Sequence, residues 1–415
     1  MHILQTLTKV AQMRRLKLYT PAWLVGLSLL WPAMLCADLD LELELQTPVG
    51  KNILSWSPEQ QLQGYGSMAS IFPTRPITAS GIASSLPSVA PNKAFDEAGL
   101  SYSFVSNDGT AITITGVGNF MQRMNTAGLI VVKDGVVQVE RYALGHHARR
   151  PWVSFSVTKS VVSMLVGAAI KDGFIRSVDD PVTDYLPRLK GGVYEGVNVG
   201  QLLQMSSGVG WNEDYTDPNA DVAVAPLGGI ALFSYMNQLP RVDKPGSVFN
   251  YSTGETNLVG AMLRSAIGNN LSTYLAAKIW QPFGMESDAN WLLDQPHGAE
   301  VGGCCISATL RDYARIGLFA LNPGVSQGGK KVLPDNWLQQ STTGSDSFAG
   351  YGYSWWLMQP EVFAAEGVFG QIIWIDRRHD LVIALHSAWP AAWGPDLEAE
   401  LMAFIGAVTA QLAEE

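Results

Sequence analysis

Residues 151–173 read PWVSFSVTKSVVSMLVGAAIKDG. Within them, Ser156-Val157-Thr158-Lys159 is the one place in the chain where a lysine follows a serine by three positions. Apolar residues recur after it at Val161, Val162, Leu165, Val166, Ala169 and Ile170, the spacing of a buried helix. Positions three apart lie on one helix face, so the Lys159 amine can reach the Ser156 hydroxyl. A serine in the first turn also feels the positive end of the helix dipole, which favours alkoxide character. A hydroxyl becomes a strong nucleophile only when a base takes its proton, and a desolvated lysine of lowered pKa can be that base. A surface serine and lysine would show the same spacing. The pair therefore needs partners: a proton shuttle, and backbone N–H donors for an oxyanion.

Working outward, strand signals lie on both sides of this helix. Tyr102–Val105 and Ala111–Thr115 flank Asn107-Asp108-Gly109. Leu129–Val132 and Val136–Tyr142 flank Lys133-Asp134-Gly135, a stronger hairpin pattern. Beyond the helix, residues 172–345 read as a mostly helical, loop-rich insertion. Its clearest helices are Gln201–Met205, Leu258–Ile267, Ser272–Trp280 and Thr309–Leu321, the last opened by a Thr309/Asp312 cap. Strand patterns return at Tyr353–Met358, Val368–Ile375 and Leu381–His386, and a helix over Asp396–Leu412 closes the chain. Strands at both ends enclosing helices predict an α+β fold with one antiparallel sheet built from both chain ends. Residues 38–100, rich in Pro, Ser and Gly, read as an extended N-terminal arm, and 101–415 as the main domain.

The first 37 residues read differently. Arg14, Arg15 and Lys17 precede an apolar run from Trp23 to Leu35, followed by small Cys36 and Ala37. That is an export-signal pattern with cleavage after Ala37, which places the protein in the periplasm or outside the cell. A retained membrane anchor and a lipid-modified Cys36 are the alternatives. Removing this segment takes the net charge from −10 to −14, because it holds four basic and no acidic residues. Such an excess argues against nucleic acid and anionic membranes as partners. With 47% hydrophobic and 15% charged residues the chain has ample core for a large globular domain. Adjacent Cys304 and Cys305 could bond only through a strained turn, so they read as two small buried apolar residues, with a vicinal redox pair as the alternative. His146, His147 and His386 read as structural, and no phosphate-loop or metal-helix pattern is present.

An ordered series of landmarks continues past the Ser-x-x-Lys helix. It comprises Val178-Asp179-Asp180-Pro181, Asp184-Tyr185-Leu186-Pro187, Gln201 through Gly208, Phe249-Asn250-Tyr251-Ser252-Thr253, Pro282-Phe283-Gly284-Met285, Asp312-Tyr313-Ala314-Arg315, Gly367–Gln371 and Asp380–His386. Across roughly 125–390 the chain resembles the serine β-lactamase and penicillin-binding-protein superfamily, in its class C and esterase-like branch. Trp56–Ile77 and Trp211-Asn212-Glu213-Asp214-Tyr215 are most similar to the 6-aminohexanoate-dimer hydrolase group.

The resemblance implies a β-lactamase/transpeptidase-like fold and an exported serine hydrolase that cleaves a small ester or amide through an acyl-enzyme. It implies no cofactor, no metal and no stable membrane insertion after signal cleavage, and leaves the oligomeric state open. Carried onto this sequence, Ser156 matches the nucleophile, Lys159 its base, and Tyr251 a proton shuttle whose pKa a neighbouring ammonium would lower. The backbone N–H groups of Ser156 and Val368 match the oxyanion donors, and Gly367, Thr253 and Glu366 line the substrate. Two departures stand out. Thr253 replaces an asparagine, and Ala365-Glu366-Gly367 replaces Lys-Thr-Gly, with no Lys, Arg or His between Glu361 and Ile375. If Glu366 faces the pocket it repels the carboxylate of a β-lactam, so little or no β-lactamase activity is expected. A D-amino-acid peptidase acting on cell-wall peptides, or a sensor module that acylates without turning over, are the other readings.

Overall fold

The computed structural model describes residues 53–89, 95–96 and 98–413, all within one unit, Leu45–Glu415. The export segment read at 1–37, Cys36 included, lies outside the described residues.

The main sheet is antiparallel and six-stranded. Its strands are β4 (Thr126–Lys133), β5 (Val136–Tyr142), β9 (Trp356–Gln359), β10 (Val362–Gly367), β11 (Gln371–Asp376) and β12 (Leu381–Ser387), in the order β5-β4-β12-β11-β10-β9. The junction between the two chain ends is β4 on β12, with Val131 opposite Ile383. Alternation decides what each strand buries. Ile130, Val132, Ile373, Ile375, Val382 and Ala384 enter one core, while Leu129, Val131, Ile372, Trp374, Leu381 and Ile383 enter the other. The first core also holds the Ser156 helix, Val157–Lys171, in which every residue from Val157 to Ala169 is buried. The second holds Phe404, Ile405 and Val408 of the C-terminal helix, Pro395–Ala413. Both faces of the sheet are thus covered by helices, which explains why its central strands read as near-continuous apolar runs.

A smaller antiparallel sheet sets up the site. Its strands are β1 (Thr74–Ile77), β6 (Trp152–Val153), β7 (Ala289–Leu292) and β8 (Ile306–Ala308), in the order β1-β7-β8-β6. A separate hairpin joins β2 (Ser101–Val105) to β3 (Ala111–Thr115).

Some expectations require correction. The segment read as an extended arm carries a 3-10 turn at Ile53–Ser55, helices at Pro58–Gly64 and Met68–Ile71, and then β1. Ser57 and Gln60 form a capping box that starts the first of these helices. The run Val368–Ile375, expected as one strand, begins with a turn at 368–370. Phe369 (φ +63°) and Gly370 (φ +85°) reverse the chain there between β10 and β11. The helix expected over Ser272–Trp280 is α-helical from Leu271 to Leu275 and π-helical from Ala276 to Trp280.

Candidate active site

Ser156 stands where β6 becomes a helix. The change of direction is made at Phe155, whose φ of +44° is unusual for a bulky residue. Its ring is clamped by Tyr65 and Phe369, at 5.2 and 5.3 Å between centroids, so packing holds the strained backbone in place. Below it, the Ser154 and Thr158 hydroxyls lie 2.7 Å apart, and both accept from the Ile306 N–H on β8. The result is a helix start fixed to the small sheet, with Ser156 left partly accessible.

Lys159 is 1% exposed. Its Nζ lies 2.8 Å from Ser156 Oγ, 3.0 Å from Thr253 Oγ1 and 3.0 Å from the Gly303 carbonyl oxygen. Those three acceptors match the three donors of an ammonium. Burial nevertheless lowers the Lys159 pKa to about 8, with Glu213 pulling the other way. A sizeable share of the amine is therefore neutral near physiological pH, and the lone pair can face the serine hydroxyl.

Tyr251 sits across this pair. Lys159 Nζ lies 5.1 Å from its ring centroid, and the ring stacks on Trp356 at 5.6 Å. The expectation that an ammonium lowers its pKa is not met. Burial raises it well above the ordinary value, Tyr351 and Glu213 add to the rise, and hydrogen bonding to Ser156 offsets only part of it. In this resting arrangement Tyr251 is a neutral phenol, a proton donor.

Thr253 does not present a free hydroxyl to a substrate. Its Oγ1 is shared between Lys159 and the Glu213 carboxylate, and its backbone N–H donates 2.9 Å to Glu213 Oε2. Thr253 opens the helix Thr253–Ile267, so Glu213 meets an orphan N–H at a positive helix end. Glu213 also accepts from Trp211 Nε1 and from the Tyr215 hydroxyl, the latter at 2.6 Å. Sequence reasoning assigned Glu213 no role. Its signal was membership of the Trp211–Tyr215 landmark.

Gly367 closes the other side. A Cβ there would stand 2.4 Å from the Ser154 carbonyl oxygen and 3.1 Å from Ser156 N. Only glycine allows the β10 backbone so close to the helix start. Val368 follows it and lines both cavities that reach Ser156. Among the described residues neither the Ser156 nor the Val368 N–H donates to a loop or cap carbonyl.

The larger cavity, of about 220 Å³, runs from Ser156 and Tyr251 toward the C-terminal helix. Trp356, Ile372, Trp389, Leu401 and Met402 give it an apolar wall. Glu366 faces this cavity together with Glu398. Burial, reinforced by Glu398, raises the Glu366 pKa to about 8. Among the described residues no Lys, Arg or His lines the cavity.

Two further sets of residues lie near the site. Cys305 is buried, as expected of a small apolar residue, its sulfur lies against that of Cys304, and Cys304 lines the smaller cavity beside Ser156 and Gly303. His146 and His386 hydrogen-bond one another at 3.0 Å in a buried stack with Trp152 and Tyr313, a structural arrangement. Among the described residues no group of three His, Cys, Asp or Glu could hold a metal ion, and no helix is long and apolar enough to cross a membrane.

Comparison with known proteins follows the same lines. The family model described as Beta-lactamase matches residues 115–406. A 6-aminohexanoate-dimer hydrolase of Paenarthrobacter ureafaciens is 29% identical over 291 residues, 64% of this chain and 73% of its own. A solved Bacillus anthracis structure, provisionally named as a 6-aminohexanoate-dimer hydrolase, is 21% identical with a TM-score of 0.74, over 89% of this chain and 99% of that one. A family VIII carboxylesterase is 18% identical with a TM-score of 0.54, over 70% and 95% of the two chains. The last two likenesses concern the fold.

Proposed function

From the premise that this chain belongs to the beta-lactamase family and is a serine hydrolase of that superfamily, we propose that it cleaves a small ester or linear amide through an acyl-enzyme on Ser156. The observation that carries the reading is a buried amine of lowered pKa, 2.8 Å from a serine hydroxyl at a helix start. Lys159 takes the Ser156 proton as Oγ attacks the carbonyl. The N–H groups of Ser156 and Val368 hold the tetrahedral oxyanion. Tyr251, a phenol facing the same pair, gives a proton to the leaving group as the intermediate collapses. Water then repeats the sequence with the roles reversed, and Tyr251 recovers its proton. Glu213 and Thr253 hold Lys159 from behind.

The cavity suggests the substrate. Its apolar wall suits a methylene chain, and its two acidic side chains suit a neutral or cationic group at the far end. A linear ω-amino-acyl amide has that form, and the Paenarthrobacter relative is named for hydrolysis of a 6-aminohexanoate dimer. A β-lactam carboxylate meets Glu366 instead of a cation, so β-lactams are poor substrates in this reading. The export pattern in 1–37 would deliver the enzyme to the periplasm or beyond.

The test is a fluorophosphonate probe with a p-nitrophenyl ester assay. Wild type is labelled and turns over repeatedly. Ser156→Ala loses labelling while keeping its circular dichroism. A labelled Ser156→Ala protein refutes the nucleophile, and a single acylation burst without steady turnover favours the sensor reading.

A further inference from the structure

The three neighbours of Lys159 differ in what they can do. Nζ lies 3.0 Å from the Gly303 carbonyl oxygen, which can only accept. It lies 3.0 Å from Thr253 Oγ1 and 2.8 Å from Ser156 Oγ, and a hydroxyl can accept or donate. A neutral amine has two N–H groups and one lone pair. It serves as the base for Ser156 only when the lone pair faces that residue. The Gly303 carbonyl takes one N–H, and its place is fixed. The Gly303 N–H donates 2.8 Å to Asn257 Oδ1, and a Cβ at 303 would meet Thr253 Cγ2 at 2.9 Å. The second N–H and the lone pair are left for the two hydroxyls.

Glu213 decides between them. Oε2 accepts from the Thr253 N–H and from Trp211 Nε1, and Oε1 from the hydroxyls of Thr253 and Tyr215. A carboxylate carries no proton, so the Thr253 hydroxyl proton points at it. What Thr253 then offers Lys159 is a lone pair, which takes the second N–H. The partner that remains for the amine lone pair is the Ser156 hydroxyl.

We propose that Glu213 is the positioning residue of this base: by holding the Thr253 hydroxyl proton, it turns the Lys159 lone pair onto Ser156. The inference rests on the reading of Ser156 as nucleophile and Lys159 as its base. It also gives a reason for the change at 253. An asparagine would present a carbonyl oxygen, which accepts unaided; a threonine hydroxyl accepts reliably only while another group takes its proton. In the reaction the Ser156 O–H bond breaks as Oγ bonds to the carbonyl carbon, and the proton passes to Nζ. The ammonium then has one N–H each on Gly303, Thr253 and Ser156 Oγ. The proton taken from the serine is the one that faces the site. Thr253 and Glu213 keep their own protonation throughout.

Glu213→Gln removes the control without removing the shape. Its amide oxygen can still accept from Thr253 N–H and Trp211 Nε1, which puts its NH2 toward the two hydroxyls. Thr253 Oγ1 then accepts from the amide, and its proton turns to the Lys159 lone pair. Freeing that lone pair costs one hydrogen bond, so the high-pH plateau of kcat/KM for p-nitrophenyl butyrate should fall about 5- to 10-fold. Burial lowers the Lys159 pKa to about 8 and Glu213 holds it up, so losing that charge moves the acid limb to lower pH. The loss is therefore smaller at pH 6 than at pH 9. Other titratable groups around the amine are Tyr251, Tyr215 on Glu213, and Tyr351 and Glu366 behind Tyr251. Burial raises the three tyrosines above the range read, and Glu366, near 8, is common to both proteins. Among the described residues Glu213 lines neither cavity that reaches Ser156, so KM should hold.

The experiment measures pH profiles from 6 to 9.5 for the full chain and its variants, with circular dichroism and urea denaturation to confirm folding. Thr253→Val should lower the plateau at least as far as Glu213→Gln, and Thr253→Ser should recover most of it. The double variant Glu213→Gln/Thr253→Val should have the plateau of Thr253→Val, because Glu213 orients the amine through that hydroxyl. A Glu213→Gln protein with the wild-type plateau and limb overturns the proposal. So does a loss by the same factor at every pH, or additive losses in the double variant. Should Glu213→Gln fail to fold, a Thr253→Val plateau equal to wild type overturns it alone. Fluorophosphonate labelling separates the two readings: labelling that persists in Ser156→Ala removes the nucleophile, and the positioning role with it. Labelling lost in Ser156→Ala but unaltered in rate in Glu213→Gln removes only the positioning role.

Discussion

Gly367→Ala is the sharpest probe of the proposed oxyanion pair. The added Cβ would stand 2.4 Å from the Ser154 carbonyl oxygen, 3.1 Å from Phe155 Cβ and 3.1 Å from Ser156 N. The first of these is backbone and cannot swing aside. Ser154 is also held by its own N–H to Ile306 O at 2.8 Å and by its hydroxyl against Thr158. Contacts become ordinary only near 3.4 Å, so β10 and the helix start must part by about 1 Å. Oxyanion donors act at about 2.7–3.1 Å, and losing one costs about 10²–10³ in kcat, or about 3–4 kcal/mol. Overpacking should cost a further ~1–3 kcal/mol of stability. Steady-state hydrolysis of p-nitrophenyl butyrate and urea denaturation measure the two effects. The predicted pattern is a loss of kcat and kcat/KM together with KM nearly unchanged, since both acylation and deacylation pass through an oxyanion. A kcat within about threefold of wild type, in a protein that is destabilised as described, would refute the argument that Val368 N–H is a donor.

Lys159 and Tyr251 should behave as one proton-transfer unit. Lys159→Ala and Tyr251→Phe are each expected to cost several orders of magnitude in turnover, and the double mutant little more than the poorer single; additive losses would make one of them structural. The active amine is the neutral form, and burial lowers the Lys159 pKa to about 8, so kcat/KM should rise with pH and level off above about 8. A rate flat from pH 6 to 9 contradicts that role. Burial raises the Glu366 pKa to about 8, so near neutral pH it is mostly protonated and the gain from Glu366→Lys comes from the added cation; nitrocefin hydrolysis should rise relative to an uncharged p-nitrophenyl ester at least about fivefold, since a single attraction near 4 Å at an effective dielectric of about 20 amounts to ~4 kcal/mol before screening, and an unchanged ratio removes Glu366 from substrate selection. The His146–His386 pair bears on acid stability. Burial lowers the His146 pKa to about 3 and moves His386 well below its ordinary value. The unfolded chain binds protons below pH 6.5 that the folded one refuses until about pH 3, so stability should fall with pH through that window. His146→Gln should flatten the fall in melting temperature between pH 6.5 and 4.

What the sequence made legible depends on how far apart the cooperating residues lie. Ser156 and Lys159 share one helical turn, so their pairing followed from spacing and survived unchanged as a 2.8 Å contact. The β4–β5 hairpin was equally plain, because Lys133-Asp134-Gly135 supplies the positive φ that its turn requires, +52° at Asp134 and +75° at Gly135. β10 was missed. Its Ala364-Ala365-Glu366-Gly367 has little β propensity, and the strand is held by its register against β11, Ala364 opposite Trp374, not by its own composition. The turn after it is made by Phe369 and Gly370, a pair without the usual Asn-Gly or Asp-Gly mark.

The site residues that went unseen share one property: each acts on a partner far along the chain. Glu213 reaches Thr253 forty positions away, Gly303 reaches Lys159 across 144, and Glu398 meets Glu366 across the cavity. None carries a local pattern that states a role: Glu213 stood only within the Trp211–Tyr215 landmark, and a carboxylate in a polar loop or on an amphipathic helix is ordinarily a solvated one. The two departures noted at 253 and 366 gain their sense from these distant partners. Thr253 is short enough to sit between Lys159 and Glu213, where its hydroxyl accepts from one and donates to the other. Glu366 stands in a cavity that, among the described residues, holds a second acidic side chain and no cation. A threonine and a glutamate that look like losses against the resemblance have distant partners in three dimensions: Glu213 lies behind the lysine and keeps its pKa from falling further, and Glu366 lines the cavity ahead of the serine together with Glu398 and, among the described residues, with no cation.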